Sequence, residues 1–157
     1  MKIETQTHRS RFGVGLLLAV LGACAIGIWL LSADARRELD ALANANAERL
    51  PVADNSQDVV TCIYLFHELP PKIRRVVAAE LARVLKPGGR LIFVDALQKG
   101  DTEGMDALLD FFPWAFHEPY FDSYTKEDLT TLFSKAGLTP LSETPVFLSK
   151  VMSFEKS

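Results

Sequence analysis

Apolar and polar positions along the chain follow two regimes that change near residue 33. From 12 to 31 there are twenty residues without a charge, FGVGLLLAVLGACAIGIWLL. Beyond them the pattern breaks into short periodic pieces. Residues 34–45 (DARRELDALANA) read as a short polar helix. Residues 58–66 (DVVTCIYLF) form a nearly continuous apolar run rich in β-branched side chains, as expected of a strand buried on both faces. Pro70 and Pro71 then open a helix running to about Leu85, with Ile73, Val77, Leu81 and Val84 at helical spacing. Glu80 and the cationic group Lys72, Arg74 and Arg75 fall elsewhere, and the cations read as a solvated face. Lys86-Pro87-Gly88-Gly89 stops that helix, since proline cannot continue it and glycine tolerates a left-handed exit. Residues 90–95 (RLIFVD) form a second buried strand, so strand, helix and strand make a right-handed βαβ unit.

Further on, a helix is expected from about Thr102 to Phe112, ended by Pro113, followed by an aromatic-rich loop. Another starts after Thr125, with Leu129, Leu132, Phe133 and Ala136 on one face and Gly137 as its stop. The tail from Leu138 to Phe154 reads as two short strands broken near Pro145.

The uncharged run has the length of a helix crossing ~30 Å of hydrocarbon. Arg9 and Arg11 precede it, and Arg36 and Arg37 follow it, so its flanks set no orientation. Three readings compete with a membrane anchor. One is a secretory signal cleaved at Ala33-Asp34-Ala35, and another a lipoprotein signal at Cys24. The third is a buried globular segment or a displaced start fused to a domain fragment. The division is thus 1–33 as an apolar segment and 34–157 as an α/β domain, membrane-associated with the domain on the cytoplasmic side, or cytoplasmic if the run is no anchor.

Composition narrows the partners. The 157 residues suit one domain, and 48% apolar residues suffice for a core. Seventeen basic against twenty acidic side chains give a formal charge of −3, with no basic stripe to neutralise phosphates, which excludes nucleic acid as the default partner. Cys24 and Cys62 both lie in apolar runs and read as buried reduced thiols.

Three blocks then arrive in order. They are Asn46-Ala47-Glu48-Arg49-Leu50-Pro51-Val52-Ala53-Asp54, then Asp58-Val59-Val60-Thr61 through His67-Glu68-Leu69, then Glu80 with Arg83-Val84-Leu85-Lys86-Pro87-Gly88-Gly89 and the strand to Asp95. Together, and continuing through Ala136-Gly137-Leu138, they resemble the second half of a class I S-adenosylmethionine-dependent methyltransferase domain, over residues 46–138. The resemblance implies a partial doubly wound, Rossmann-like parallel sheet, preceded here by an apolar N-terminal helix. It implies displacement of a methyl group from a sulfonium by an acceptor nucleophile, with the cofactor beyond the carboxyl ends of the strands. Asn46 and Ala47 would lie against the adenine, and Ile63 and Tyr64 near the sulfonium, where an aromatic face suits a cation. His67, Asp95, His117, Glu118 and Tyr120 would stand on the acceptor side, with residues 117–124 as the acceptor-covering loop. Each also has a plainer reading, as a packed or capping group or a rigid turn.

His67-Glu68 and His117-Glu118 are not parts of a His-Glu-x-x-His helix, because Pro71 and Phe121 stand four residues after each histidine, so the pattern gives no metal site. Complete members begin with a strand, an acid and a Gly-x-Gly-x-Gly loop, then a second strand ending in an acid that holds the ribose. Gly13-Val14-Gly15 lacks the preceding acid and the third glycine. The resemblance therefore implies methyl transfer to a small-molecule or lipid acceptor, with cofactor binding weak or lost unless a partner chain completes the sheet. The other reading is a noncatalytic membrane-tethered interaction module or a truncated gene product.

Overall fold

The computed structural model describes residues 46–157 in full and, of the chain before them, the backbone of Leu16–Ala19. Five strands form one mixed sheet: β1 (Leu16–Ala19), β2 (Gln57–Ile63), β3 (Leu85–Ala96), β4 (Leu138–Val146) and β5 (Ser149–Lys156), in spatial order β1-β2-β3-β5-β4. The first three are parallel, and β5 runs antiparallel to both β3 and β4. Among the described residues four helices accompany them: α1 (Pro71–Val84), α2 (Asp106–Phe116), α3 (Phe121–Thr125) and α4 (Leu129–Lys135).

The βαβ unit stands as the apolar runs require, with Val60 beside Leu91 and Cys62 beside Phe93 across the parallel pair. The turn joining helix to strand is folded into the sheet. β3 already pairs at Leu85 with Gln57, and the ladder then skips to Arg90 opposite Val59, so Lys86-Pro87-Gly88-Gly89 bulges out. Gly88 takes φ +73°, and a Cβ on Gly89 would meet Lys86 O at 2.8 Å and Asp58 O at 3.1 Å. Only glycine fits there.

One face of the sheet carries the core. Val60, Cys62, Leu91, Phe93, Met152 and Phe154 point into a cluster with Val77, Ala78 and Leu81 of α1 and Leu129, Leu132 and Phe133 of α4. Phe66, Phe93, Phe133 and Phe154 meet edge to face or tilted, with centroids 4.7–5.3 Å apart, an arrangement favourable beyond its area alone. The expectation of strands buried on both faces is corrected. Thr61, Ile63, Ile92, Val94 and Val151, pointing the other way, are only half-buried among the described residues, so burial alternates with period two.

Other boundaries also move. β2 ends at Ile63 rather than Phe66, because Tyr64 turns left-handed (φ +51°) and Phe66–Glu68 form a 3-10 turn. α2 begins four residues later than expected and runs through Pro113 to Phe116. A proline there removes one helical hydrogen bond without ending a segment whose later residues, Phe111, Trp114 and Phe116, are exposed. The aromatic loop contains the short helix α3. α4 is capped by Asp128, which accepts from Thr131 N at 2.8 Å. The tail strands meet at a two-residue turn, Phe147-Leu148, and Pro140 and Pro145 lie within edge strand β4, where a missing donor is tolerated.

The expected apolar helix over 12–31 is corrected at the four described positions. Leu16–Ala19 pair in parallel with Val60–Ile63 as a strand. The rest of that run, Cys24 and the polar segment 34–45 lie outside the described residues. Among the described residues no helix is long and apolar enough to cross a membrane.

Candidate active site at the carboxyl edge

Two adjacent parallel strands deliver their chemistry at their carboxyl ends, where the chain leaves the ladder and side chains can converge. β3 brings Asp95, fully buried, to that edge. Its Oδ2 accepts from Phe66 N at 2.8 Å, while Oδ1 accepts from Ala96 N at 2.8 Å and lies 2.5 Å from His67 Nδ1. A carboxylate shut away from water is tolerable only with such donors around it. Asp95 thereby fixes the 3-10 turn after β2 and commits one nitrogen of His67, leaving Nε2 facing outward.

Nε2 lies 3.6 Å from Glu68 Oε1. Glu118, from the connector between α2 and α3, joins the same group, its ligand atom within 4.8 Å of those of His67 and Glu68. Tyr64, Phe121 and Tyr124 stand edge-on to the imidazole at 6.0–6.4 Å. Burial disfavours the charged imidazole, but the hydrogen bond and charge of Asp95, with Glu68 and Glu118 beyond, outweigh it and raise the His67 pKa above its ordinary value. Glu118 is also raised, first by burial and then by the neighbouring Glu68, against the pull of His67.

The other expected site residues are placed as follows. Ile63 closes β2, half-buried; Tyr64 is exposed, its hydroxyl 2.6 Å from Ser149 Oγ at the start of β5. Asn46 and Ala47 stand on a separate turn. The Asn46 side-chain oxygen accepts from Glu48 N at 2.9 Å, and Ala47 packs against the core. That turn is held by α1. Glu80 Oε1 accepts from Leu50 N at 2.6 Å, and Arg83 bonds Glu80, Asp54 and Leu50 O. A cleft of about 650 Å³ lies beside this clamp, lined by 49–54, and contains none of the expected site residues. His117 is the exposed, left-handed C-cap of α2, outside the His67 cluster. Tyr120 contributes its carbonyl rather than its ring, accepting from Arg74 Nη2 at 2.8 Å.

Arg74 corrects the reading of a solvated cationic face. It is fully buried, and donates to Phe66 O (2.9 Å), Tyr120 O (2.8 Å), Ser123 Oγ (2.8 Å) and Glu127 Oε2 (3.1 Å). Its guanidinium lies 5.7 Å from the centre of the Tyr124 ring, and the Tyr124 hydroxyl bonds Ala96 O at 2.6 Å. Arg74 thus ties the β2 exit to the segment 120–127. A signal was present: 74, 77, 78 and 81 share one helical face.

Comparison with known proteins agrees with this geometry. The family model described as a methyltransferase domain matches residues 27–93. The chain is 42% identical over 101 residues to the uncharacterized protein YafE of Escherichia coli, covering 59% of this chain and 43% of that one. It is 35% identical over 106 residues to the methyltransferase GfsG of Streptomyces halstedii, with 65% and 36% covered. Against the demethylmenaquinone methyltransferase of Bacillus pumilus it is 27% identical, with 66% and 51% covered. The chain thus spans about half or less of the length of these relatives. In fold it is similar to a S-adenosylmethionine-dependent methyltransferase from Methanosarcina mazei (TM-score 0.51, 21% identity, 71% of this chain and 65% of that one). It is also similar to an O-methyltransferase-like protein from Nostoc punctiforme (TM-score 0.58, 19% identity, 71% and 35%). Ordered blocks in sequence, a parallel βαβ unit with an antiparallel hairpin at its side, and polar groups gathered at the strand ends agree with a class I methyltransferase domain, whose family model matches residues 27–93 of this chain.

Proposed function

We propose that this chain carries the acceptor side of a S-adenosylmethionine-dependent methyl transfer to a small molecule. The observation that carries the reading is the Asp95-locked His67 at the carboxyl edge, beside exposed Tyr64. In-line displacement needs little covalent help from a protein, and positioning supplies most of the effect. Tyr64 would present its ring to the sulfonium, Ile63 would close the methionine end, and Asn46 and Ala47 would meet the adenine. Asn46 Oδ1 has a second lone pair free for the adenine amino group once the first is given to Glu48 N. The acceptor would enter past His67 and Glu118, under Tyr120 and the exposed aromatics of α2. Trp114, 76% exposed, and Phe116, 62% exposed, suit an apolar acceptor, small or lipid-like.

Cofactor binding by this sequence alone is expected to be weak, because no Gly-x-Gly-x-Gly loop and no ribose-binding acid stand in it. Hydrogen bonds to charged groups contribute ~1.5–3 kcal/mol each, so losing two or three weakens binding by roughly a hundredfold or more. Calorimetric titration of S-adenosylmethionine into the folded chain tests both parts. Weak binding that Asn46→Ala weakens further supports the placement. Tight binding would overturn the expected impairment, and binding indifferent to Asn46→Ala and Tyr64→Ala would overturn the site.

A further inference from the structure

We propose that His67, Glu68 and Glu118 form a binding site for a divalent cation of the zinc class, which fastens the connector between α2 and α3 to the exit of β2. The sequence pattern offers no helix-borne metal motif. The fold instead assembles donors from two segments fifty residues apart, one ligand atom from each side chain, all within 4.8 Å of one another. One imidazole nitrogen and two carboxylates are a fitting donor set for a borderline cation. Ligands 2.0–2.2 Å from a tetrahedral cation lie about 3.3–3.6 Å apart. His67 Nε2 and Glu68 Oε1 are already at 3.6 Å, too long for a direct hydrogen bond and close to that spacing. Side-chain movement of roughly an ångström completes the set.

Two further observations point to a ligand. Asp95 grips His67 Nδ1 at 2.5 Å, which turns Nε2 toward the carboxylates, and a carboxylate behind a histidine is the usual support of a metal ligand. Glu118 Oε2 is sealed from solvent and has no hydrogen-bond partner among the described residues. A buried acceptor left unpaired is unfavourable, and a cation would satisfy it while removing the repulsion between Glu68 and Glu118. A filled site would hold Glu118 and its neighbours against the exit of β2. This inference goes beyond methyl transfer and does not depend on it.

The test uses the full chain, stripped with a chelator and titrated with zinc chloride in a calorimeter, with neither cofactor nor acceptor present. Cobalt(II) chloride, followed by visible absorption, reads the coordination independently. One zinc per chain is expected. Asp95→Asn, removing the support, should weaken it by roughly 10–100-fold. Glu68→Gln and Glu118→Gln should lose at least as much, and His117→Ala should retain full affinity. Because Asp95→Asn also strips a hydrogen bond from Phe66 N, the two glutamate variants carry the decision, with circular dichroism showing them folded. No saturable zinc binding, or equal affinity in Glu68→Gln and Glu118→Gln, would overturn the site. Hydrogen exchange of the amides of His117, Glu118 and Tyr120 tests the fastening. Slowing by zinc in the parent chain but not in Glu118→Gln is expected, and unchanged exchange with zinc bound would overturn that part.

Discussion

Arg74 shows how one side chain can decide a local structure. Burial pulls its pKa below the ordinary arginine value, opposed by the hydrogen bond and charge of Glu127. Its four acceptors lie on three segments, at residue 66, at 120–123 and at 127. Arg74→Leu keeps much of the volume but leaves Glu127 without its cation, while Phe66 O keeps Leu69 N and Tyr120 O keeps Tyr124 N as donors. It is expected to destabilise by ~3 kcal/mol, read as a lower midpoint in urea unfolding. Arg74→Lys should rescue little, since one ammonium cannot span the fork. A loss under ~1 kcal/mol in Arg74→Leu would show the network to be incidental. Glu80 works in the same way for the 46–54 turn. Its pKa is lowered by the Arg83 hydrogen bond, which together with Leu50 N and the charges of Arg83 and Arg49 outweighs burial. A depressed folded pKa means the contribution is present above the unfolded value, near 4.5, and is lost as pH falls through the folded value. Acid titration of thermal stability should therefore show a decline below about pH 4.5 that Glu80→Gln reduces. An unchanged acid limb would assign the decline to other carboxylates of lowered pKa, Asp122 and Asp128 among them.

At the scale of elements, the most exacting piece is the bulge between α1 and β3. Gly89→Ala sets a Cβ against Lys86 O and Asp58 O, both backbone atoms that cannot swing away. Overpacking of this kind costs about 1–3 kcal/mol, and Gly88→Ala adds left-handed strain without a clash, so it should lose less. Comparing the two denaturation midpoints checks the order, and a larger loss at Gly88 would reverse the assignment. The elements themselves were largely legible. Unbroken apolar runs marked β2 and β3, the 77–81–84 spacing marked α1, and Gly137 marked the end of α4. What misled was of two kinds. Pro113 and Pro145 read as breaks because proline removes a donor, yet each lies where that donor is not needed, in the exposed last turns of α2 and in edge strand β4. Arg74 read as solvated because its partners, Tyr120, Ser123 and Glu127, lie at least 46 residues away. Of the site, His67, Asp95 and Glu118 were named as candidates, and the βαβ unit accounts for Asp95 lying beside the exit of β2, but the approach of Glu118 depends on where the connector between α2 and α3 packs, which no local pattern contains.

Across the whole molecule, the two faces of the sheet differ in kind. Leu91 is fully buried against α1 and α4, while Ile92, its neighbour in the same strand, points to the face that the described helices do not cover. Leu91→Ala should cost about 2–5 kcal/mol, and Ile92→Ala distinctly less. Equal losses in urea denaturation would mean that the second face is as closely packed as the first. The same asymmetry bears on Cys62, which lies on the closed face with no measurable exposure. Burial, and secondarily Asp95, pushes its thiol pKa well up. The reactive form of a cysteine is the thiolate, and here neither thiolate nor access is available while the sheet is closed. Oxidation or alkylation at Cys62 therefore records an opening of the core rather than the oxidant around it, and the thiol is a tally of past excursions from the folded state.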